Sequence, residues 1–212
     1  MGKNFNKVLQ GYQAFRAKYA LGDSSVMHYL SNVGQQPKIM VVACCDSRVD
    51  PALILQCEPG DLFVVRNVAN IVPPYEKDDA HHGTSAALEF GVRFLEVENL
   101  ILLGHSQCGG IQALLKNSQN ENDNDNENAN RNDFINNWVS LIKTPDSRVQ
   151  DVDACAKSAL QQSYQNCLTF PWLLEKVKKK KLAIHLWFFD IGAGEIFTYL
   201  DEEKKYQPLG SG

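Results

Sequence analysis

No apolar stretch in this 212-residue sequence approaches the roughly 20 consecutive residues that a membrane-spanning helix needs. The N-terminus also lacks the hydrophobic segment of a secretion signal, since Lys3 and Lys7 are followed by a mixed polar and apolar pattern. Both absences point to a soluble, cytoplasmic chain with no membrane partner. Basic excess is missing as well. With 21 Lys and Arg against 25 Asp and Glu, the formal charge of −4 leaves no field for a nucleic-acid partner. The lysines at 176 and 178–181 are a local exception, and read as the solvated end of a helix and the start of a strand. Six cysteines, at 44, 45, 57, 108, 155 and 167, are too sparse and irregular for a secreted disulfide scaffold. Reduced thiols or metal ligands fit them better.

What is present is an apolar fraction of 44%, with Trp138, Trp172 and Trp187 spread through the latter half, as in a folded globular protein. One domain over residues 1–209 accommodates it, with 210–212 reading as a linker. Phe5, Val8, Leu9, Tyr12 and Phe15 recur at helical spacing and define an amphipathic helix within an N-terminal arm at 4–30, with a second short helix at 25–30. Continuous apolar runs at 39–43, 62–65 and 100–103 read as buried strands, and a helix over 84–95 carries Ala86, Ala87, Phe90 and Phe94 at helical spacing. Residues 117–133 are a low-complexity polar surface insertion. Helices are predicted around 134–142, 149–164 and 172–177, followed by a strand at 183–189 and a hairpin into 195–200. This alternation predicts an α/β fold: a mostly parallel central β-sheet flanked by helices, with an additional late antiparallel strand and the N-terminal helical arm.

Such sheets gather binding groups at the carboxyl ends of their strands. Two clusters fall there: Cys44-Cys45-Asp46-Ser47-Arg48 after the first strand and His105-Ser106-Gln107-Cys108 after the third. An imidazole and a thiol three residues apart, at the start of a helix whose free amide groups favour a thiolate, form a weak ligand signal alone. Cys44 supplies a third soft donor. The resulting Cys2His set suits tetrahedral zinc with one position open.

The motifs C-x-D-S-R at 44–48, PGDLFVVRNVAN at 59–70, HHGTSAALEFGV at 81–92 and GHSQCGGI at 104–111 together resemble the beta class of carbonic anhydrases, over roughly residues 25 to 200. The resemblance implies one Zn2+ per chain on Cys44, His105 and Cys108, and a catalytic pair Asp46 and Arg48. It implies reversible hydration of carbon dioxide to bicarbonate and a proton by zinc-bound hydroxide, with carbon dioxide, bicarbonate and water as partners. Two thiolates make the bound water harder to ionise than three neutral histidines would, so activity is expected to rise on the alkaline side of neutrality. A homodimer is implied, in which N-terminal helices embrace the partner, and a tetramer is compatible with it.

Further roles are read from the residues around these motifs. Val68, Ala87, Phe90 and Gly109 are candidates for the substrate pocket, and His81 and His82 for proton transfer. Gly109 and Gly110 are read as allowing close backbone approach beside the metal. Glu58 takes the place of the family's substrate-contact glutamine. The tryptophan, arginine and tyrosine of the bicarbonate-regulated members correspond to Val41, Arg66 and Phe189, so only arginine remains and a site open to water is expected. Cys45, pointing away from Cys44, is read as packing. Two other readings of the same residues are a hydrolase of another small heterocumulene, such as carbon disulfide, and a non-catalytic zinc or bicarbonate binder.

Overall fold

The computed structural model describes residues 2–78, 80–120, 134–143 and 151–210. Its centre is a six-stranded sheet: β1 (Ile39–Cys44), β2 (Leu62–Asn67), β3 (Asn99–His105), β4 (Ala183–Asp190), β5 (Glu195–Leu200) and β6 (Lys205–Pro208). The spatial order is β2-β1-β3-β4-β5-β6. The first four strands in that order run parallel, and β5 and β6 are antiparallel additions. The expected architecture is therefore present, with two late antiparallel strands where one was read. β6 escaped notice because it has four residues and ends in Pro208, which a strand tolerates only at a sheet edge.

From β1 the chain leaves to β2 on one side and reaches β3 on the other, so the strand order reverses at the β1–β3 pair. A parallel sheet opens a crevice at the carboxyl ends of such a pair. Ala43 lies opposite Leu103, which brings Cys44 and His105 to one end of adjacent strands.

Alternation along β1 sends Met40, Val42 and Cys44 into the main core with Leu100 and Leu102, whereas Val41 and Ala43 join Ile101 and Leu103 on the other face. Helix α7 (Val152–Cys167) crosses β3 at close range, and Gly104 is what permits it. A Cβ there would lie 2.8 Å from Leu160 Cδ1.

The other helices are α1 (Lys3–Tyr19), α2 (Val26–Val33), α3 (Pro51–Ile54), α4 (Gly83–Glu89), α5 (Gly109–Asn120), α6 (Phe134–Val139) and α8 (Pro171–Lys178). α3 is an unforeseen single turn, started by Pro51 and capped by Asp50, whose carboxylate accepts the Leu53 N–H at 3.2 Å. α5 continues four residues into the polar tract at 117–133. Residues 121–133, like 149–150 of the helix predicted at 149–164 and 211–212 of the linker, lie outside the described residues.

α4 passes into a π turn at Phe90–Phe94, closed by Leu95 N–H on the Phe90 carbonyl at 3.0 Å. The face this segment buries is Thr84, Leu88, Gly91 and Val92, not the one marked by Ala86, Phe90 and Phe94. Phe90 and Phe94 are 42% and 68% exposed and stack on each other with centroids 5.6 Å apart, and Phe63 lies 5.8 Å from Phe90. α1 likewise buries no residue against its own chain, leaving Phe5, Val8, Leu9, Tyr12 and Phe15 exposed.

Candidate metal centre

β1 ends on Cys44, with its side chain on the core face beside Val42. The chain then turns sharply. Asp46 accepts the Arg48 N–H on Oδ1 at 2.9 Å, and the Arg48 side chain returns to the same carboxylate, Nε to Oδ1 at 3.0 Å and a terminal nitrogen to Oδ2 at 2.8 Å. A fork gripping both oxygens fixes the carboxylate in orientation as well as position. The Arg48 bonds hold the Asp46 carboxyl well below the usual carboxylate range, against a smaller opposing effect of burial.

Arg66, on the neighbouring β2, fastens this loop from behind. Its Nε donates to the Cys44 carbonyl at 2.9 Å, and its two terminal nitrogens donate to the Asp46 carbonyl and to Asp50 Oδ2, each at 2.8 Å. Nothing in the linear pattern foretells three such bonds, because they depend on β2 lying beside β1.

β3 delivers His105, which is fully buried. Its Nδ1 lies 2.8 Å from the Ser106 carbonyl, which can only accept, so Nδ1 carries the proton and the lone pair belongs to Nε2. Nε2 is buried without a hydrogen-bond partner among the described residues. A buried, unused lone pair is costly unless something electrophilic meets it.

Cys44 and Cys108 face that nitrogen. Their sulfurs are 4.0 Å apart, and one donor atom from each of Cys44, His105 and Cys108 fits within a 4.8 Å circle. The Cys108 hydrogen bond lowers the pKa of the Cys44 thiol despite burial, and that same bond, with burial, pushes Cys108 up. The pair loses its first proton readily and its second reluctantly. Burial disfavours the His105 imidazolium, but the Cys44 sulfur and the Ser106 carbonyl outweigh it and leave its pKa raised. Backbone N–H groups of Asp46 and Ala69 support the Cys44 sulfur, and those of Gly110 and Ile111, at the start of α5, support Cys108. Two sulfurs and an imidazole lone pair gathered in this way are the donor set of tetrahedral zinc with one open position.

Close approach at this centre depends on one of the two glycines, not both. A Cβ on Gly110 would stand 2.7 Å from Val68 Cγ1 and 3.0 Å from the Ala69 Cβ, whereas one on Gly109 would meet nothing within 4 Å. Val68 therefore sits against the start of α5, its carbonyl accepting the Trp138 Nε1–H at 2.7 Å. Ala87 is half-buried against the main core, and Phe90 belongs to the exposed stack described above. His82 is half-buried with Nε2 2.7 Å from Asp78 Oδ1, and His81 is exposed.

Two expectations are corrected here. Glu58 precedes β2, whose first residue Leu62 pairs with Ile39, so it lies at the opposite end of the strands from Cys44 and is bonded to Lys18 at 3.0 Å. It is no substrate contact of this site. Cys45 is exposed rather than packed, because the strand ends at Cys44. Of the cysteines away from the centre, Cys155 and Cys167 are buried and Cys57 is half-buried.

A carbonic anhydrase family model matches residues 39–196, which carry both ligand loops and the sheet between them. The chain belongs to the beta-class carbonic anhydrase family. It is 38% identical over 196 residues to beta carbonic anhydrase 5, chloroplastic, of Arabidopsis thaliana, an alignment covering 88% of this chain and 62% of that protein. Against a carbonic anhydrase of Synechocystis the identity is 36% over 196 residues, covering 91% and 70%. The solved beta-carbonic anhydrase CcaA superposes with a TM-score of 0.82 at 30% identity, over 99% of this chain and 94% of that one. A tetrameric beta-carbonic anhydrase of Sordaria macrospora gives 0.73 at 27% identity, over 100% and 99%. The chain spans about 62% of the length of the first Arabidopsis relative. Within this beta-carbonic anhydrase fold, the residues that sequence reading did not connect to the metal centre are Asp50, Asn67 and Asp153. Asn67 takes the Cys45 N–H on its carbonyl at 3.0 Å and ties its side chain to Ile71 and Thr84.

Proposed function

We propose that the chain catalyses the reversible hydration of carbon dioxide to bicarbonate and a proton, with one zinc ion held by Cys44, His105 and Cys108. The observation that carries this reading is the buried, unpartnered Nε2 of His105 facing two sulfurs 4.0 Å apart, beside a carboxylate that Arg48 holds by both oxygens. Zinc in such a set supplies a Lewis acid that lets water ionise near neutral pH.

The chain's own residues do the rest. Asp46 accepts a hydrogen bond from the reacting water and turns its lone pair toward the substrate carbon, and Arg48 keeps that carboxylate from rotating. With both oxygens on Arg48, Asp46 leaves the fourth metal position open. Val68, Ala87 and Gly109 offer apolar or small surface to a neutral, linear substrate, whereas the exposed stacking of Phe90 fits it better for an interface. The proposed proton carriers to solvent are His82, paired with Asp78, and the exposed His81.

A second copy of the chain is the proposed partner of the apolar faces of α1 and of Phe90 and Phe94. The Sordaria macrospora neighbour is described as tetrameric, which supports a homo-oligomer built on a dimer. Cytoplasmic placement is supported by an exposed Cys45 next to the ligand thiol Cys44 in the chain, an arrangement suited to a reducing compartment. Among the described residues no helix is long and apolar enough to cross a membrane.

Stopped-flow measurement of carbon dioxide hydration across pH, on protein of known zinc content, tests the reaction. A rate that rises above neutrality with zinc near one per chain is expected. Full zinc with no hydration at alkaline pH overturns it, and turnover of carbon disulfide in its place assigns the site to a different heterocumulene.

A further inference from the structure

Both halves of the metal centre lie where a strand ends, at Cys44 and at His105, and the second is held by a residue far from it in sequence. Between His105 and Cys108 the chain must stop being a strand and start a helix within three residues while presenting two side chains to one point. It does so with Gln107 in the left-handed region, at φ 56°. That conformation is unfavourable for a residue with a Cβ and persists only where the surroundings impose it. The Gln107 side chain is exposed, so packing does not impose it.

What holds the turn is a set of hydrogen bonds made by Ser106 and by the Gln107 N–H. On the sheet side, Ser106 N–H donates to the Phe189 carbonyl at 3.0 Å, and Ser106 Oγ accepts the Ile191 N–H at 2.9 Å. On the helix side, Gln107 N–H donates to Asp153 Oδ1 at 2.8 Å, a bond spanning 46 residues. Asp153 lies in the first turn of α7, where a carboxylate ordinarily serves its own helix. Here that task is already done by Asp151, whose Oδ1 accepts the N–H groups of Asp153 and Ala154 at 2.9 and 3.2 Å. The Asp153 carboxylate is therefore left to the loop.

We propose that Asp153 is a positioning residue for the metal centre: by accepting the Gln107 N–H it keeps Gln107 left-handed and so aims His105 and Cys108 at a common point. It touches neither metal nor substrate. The inference rests on the reading of Cys44, His105 and Cys108 as a zinc site, and adds a residue that acts on that site from α7.

Glycine adopts the left-handed region without a penalty, which gives the test its control. Zinc affinity is measured on the full chain by competition with a chromophoric chelator, for wild type, Asp153→Ala, Asp153→Asn, Gln107→Gly and the double variant Asp153→Ala/Gln107→Gly. Asp153→Ala should weaken zinc by roughly tenfold, in the range of outer residues that orient metal ligands. Asp153→Asn keeps a carbonyl acceptor and should stay within about threefold of wild type. Gln107→Gly should bind as wild type does, and the double variant should recover most of the loss. Cobalt substituted for zinc gives a second readout, with the tetrahedral absorption weakened in Asp153→Ala and regained in the double variant. Wild-type affinity in Asp153→Ala overturns the proposal. So does a double variant as weak as the single, which would mean that Asp153 only steadies α7. Because zinc binding is read without the hydration assay, a chain with this pattern but no hydration removes the reaction and leaves the role of Asp153 standing. Normal hydration with unaltered zinc affinity in Asp153→Ala does the reverse.

Discussion

Arg66 donates to the main-chain carbonyl of Cys44 at 2.9 Å, so the strand beside the ligand strand grips the ligand's own backbone. The same guanidinium holds the Asp46 carbonyl and the Asp50 carboxylate, which caps α3. Three acceptors in different directions match a planar fork and not an ammonium point. Arg66→Lys should therefore destabilise the zinc-loaded protein by about 2 kcal/mol, the scale of losing hydrogen bonds from a charged donor, and weaken zinc as well. Urea unfolding and chelator competition measure the two effects. A lysine variant equal to wild type in both would show that the fork is dispensable.

Asp46 differs from the ligands in acting through its charge and orientation. Asp46→Asn should keep zinc near one per chain and lose about a hundredfold in hydration rate, the lower end of what a positioned acid or base contributes. Its depressed pKa also predicts a pH dependence. A carboxyl whose folded pKa lies below its unfolded value stabilises the fold above the unfolded pKa, about 3.9, and that contribution is lost as pH falls toward the folded value. Metal-free wild type should be more stable than Arg48→Met at pH 7, with the gap narrowing as acid is added below about pH 4. A gap that stays constant through this window would remove Arg48 as the cause.

The two glycines after Cys108 make a matched pair. Gly110→Ala forces a methyl into Val68 and Ala69 and should cost about 1–3 kcal/mol of stability, the usual price of overpacking. Gly109→Ala enters open space and should be close to neutral. Thermal melts of both variants test this ordering, and equal effects would place the tight contact elsewhere.

Adjacent thiols divide in the same way. Cys44→Ser should abolish tight zinc binding, whereas Cys45→Ser should leave zinc content intact. In the native zinc-loaded protein, Cys45 should be the faster of the two to react with an alkylating reagent, being exposed where Cys44 is buried. Mass spectrometry of partially alkylated protein reads the order.

Much of the sheet and both ligand loops were legible because they rest on local signals. Short apolar runs fixed β1, β2 and β3, and a parallel sheet concentrates chemistry at the carboxyl ends of its strands. The misreadings come from contacts that sequence does not encode locally. Glu58 rests on a linear match to a family position, and such a match says nothing about the end of the sheet at which a loop emerges. Phe90 and Phe94 share one helical face, but periodicity does not tell which face turns inward, and here Leu88, Gly91 and Val92 took the core. Cys45 was judged by strand alternation one residue beyond the end of the strand. Arg66 and Asp153 reach the centre across β2 and α7, so no spacing within either ligand motif announces them.

Helix α1 buries no residue against its own chain and carries Gly11 at its middle. A glycine there costs roughly 1 kcal/mol relative to alanine, and most helical stability in proteins comes from packing an apolar face, not from propensity. This 17-residue segment is therefore poorly placed to stay wound by itself, and its helicity should follow subunit concentration. On dilution the arm should unwind while the sheet remains intact, so circular dichroism against concentration would report assembly from a segment remote from the metal.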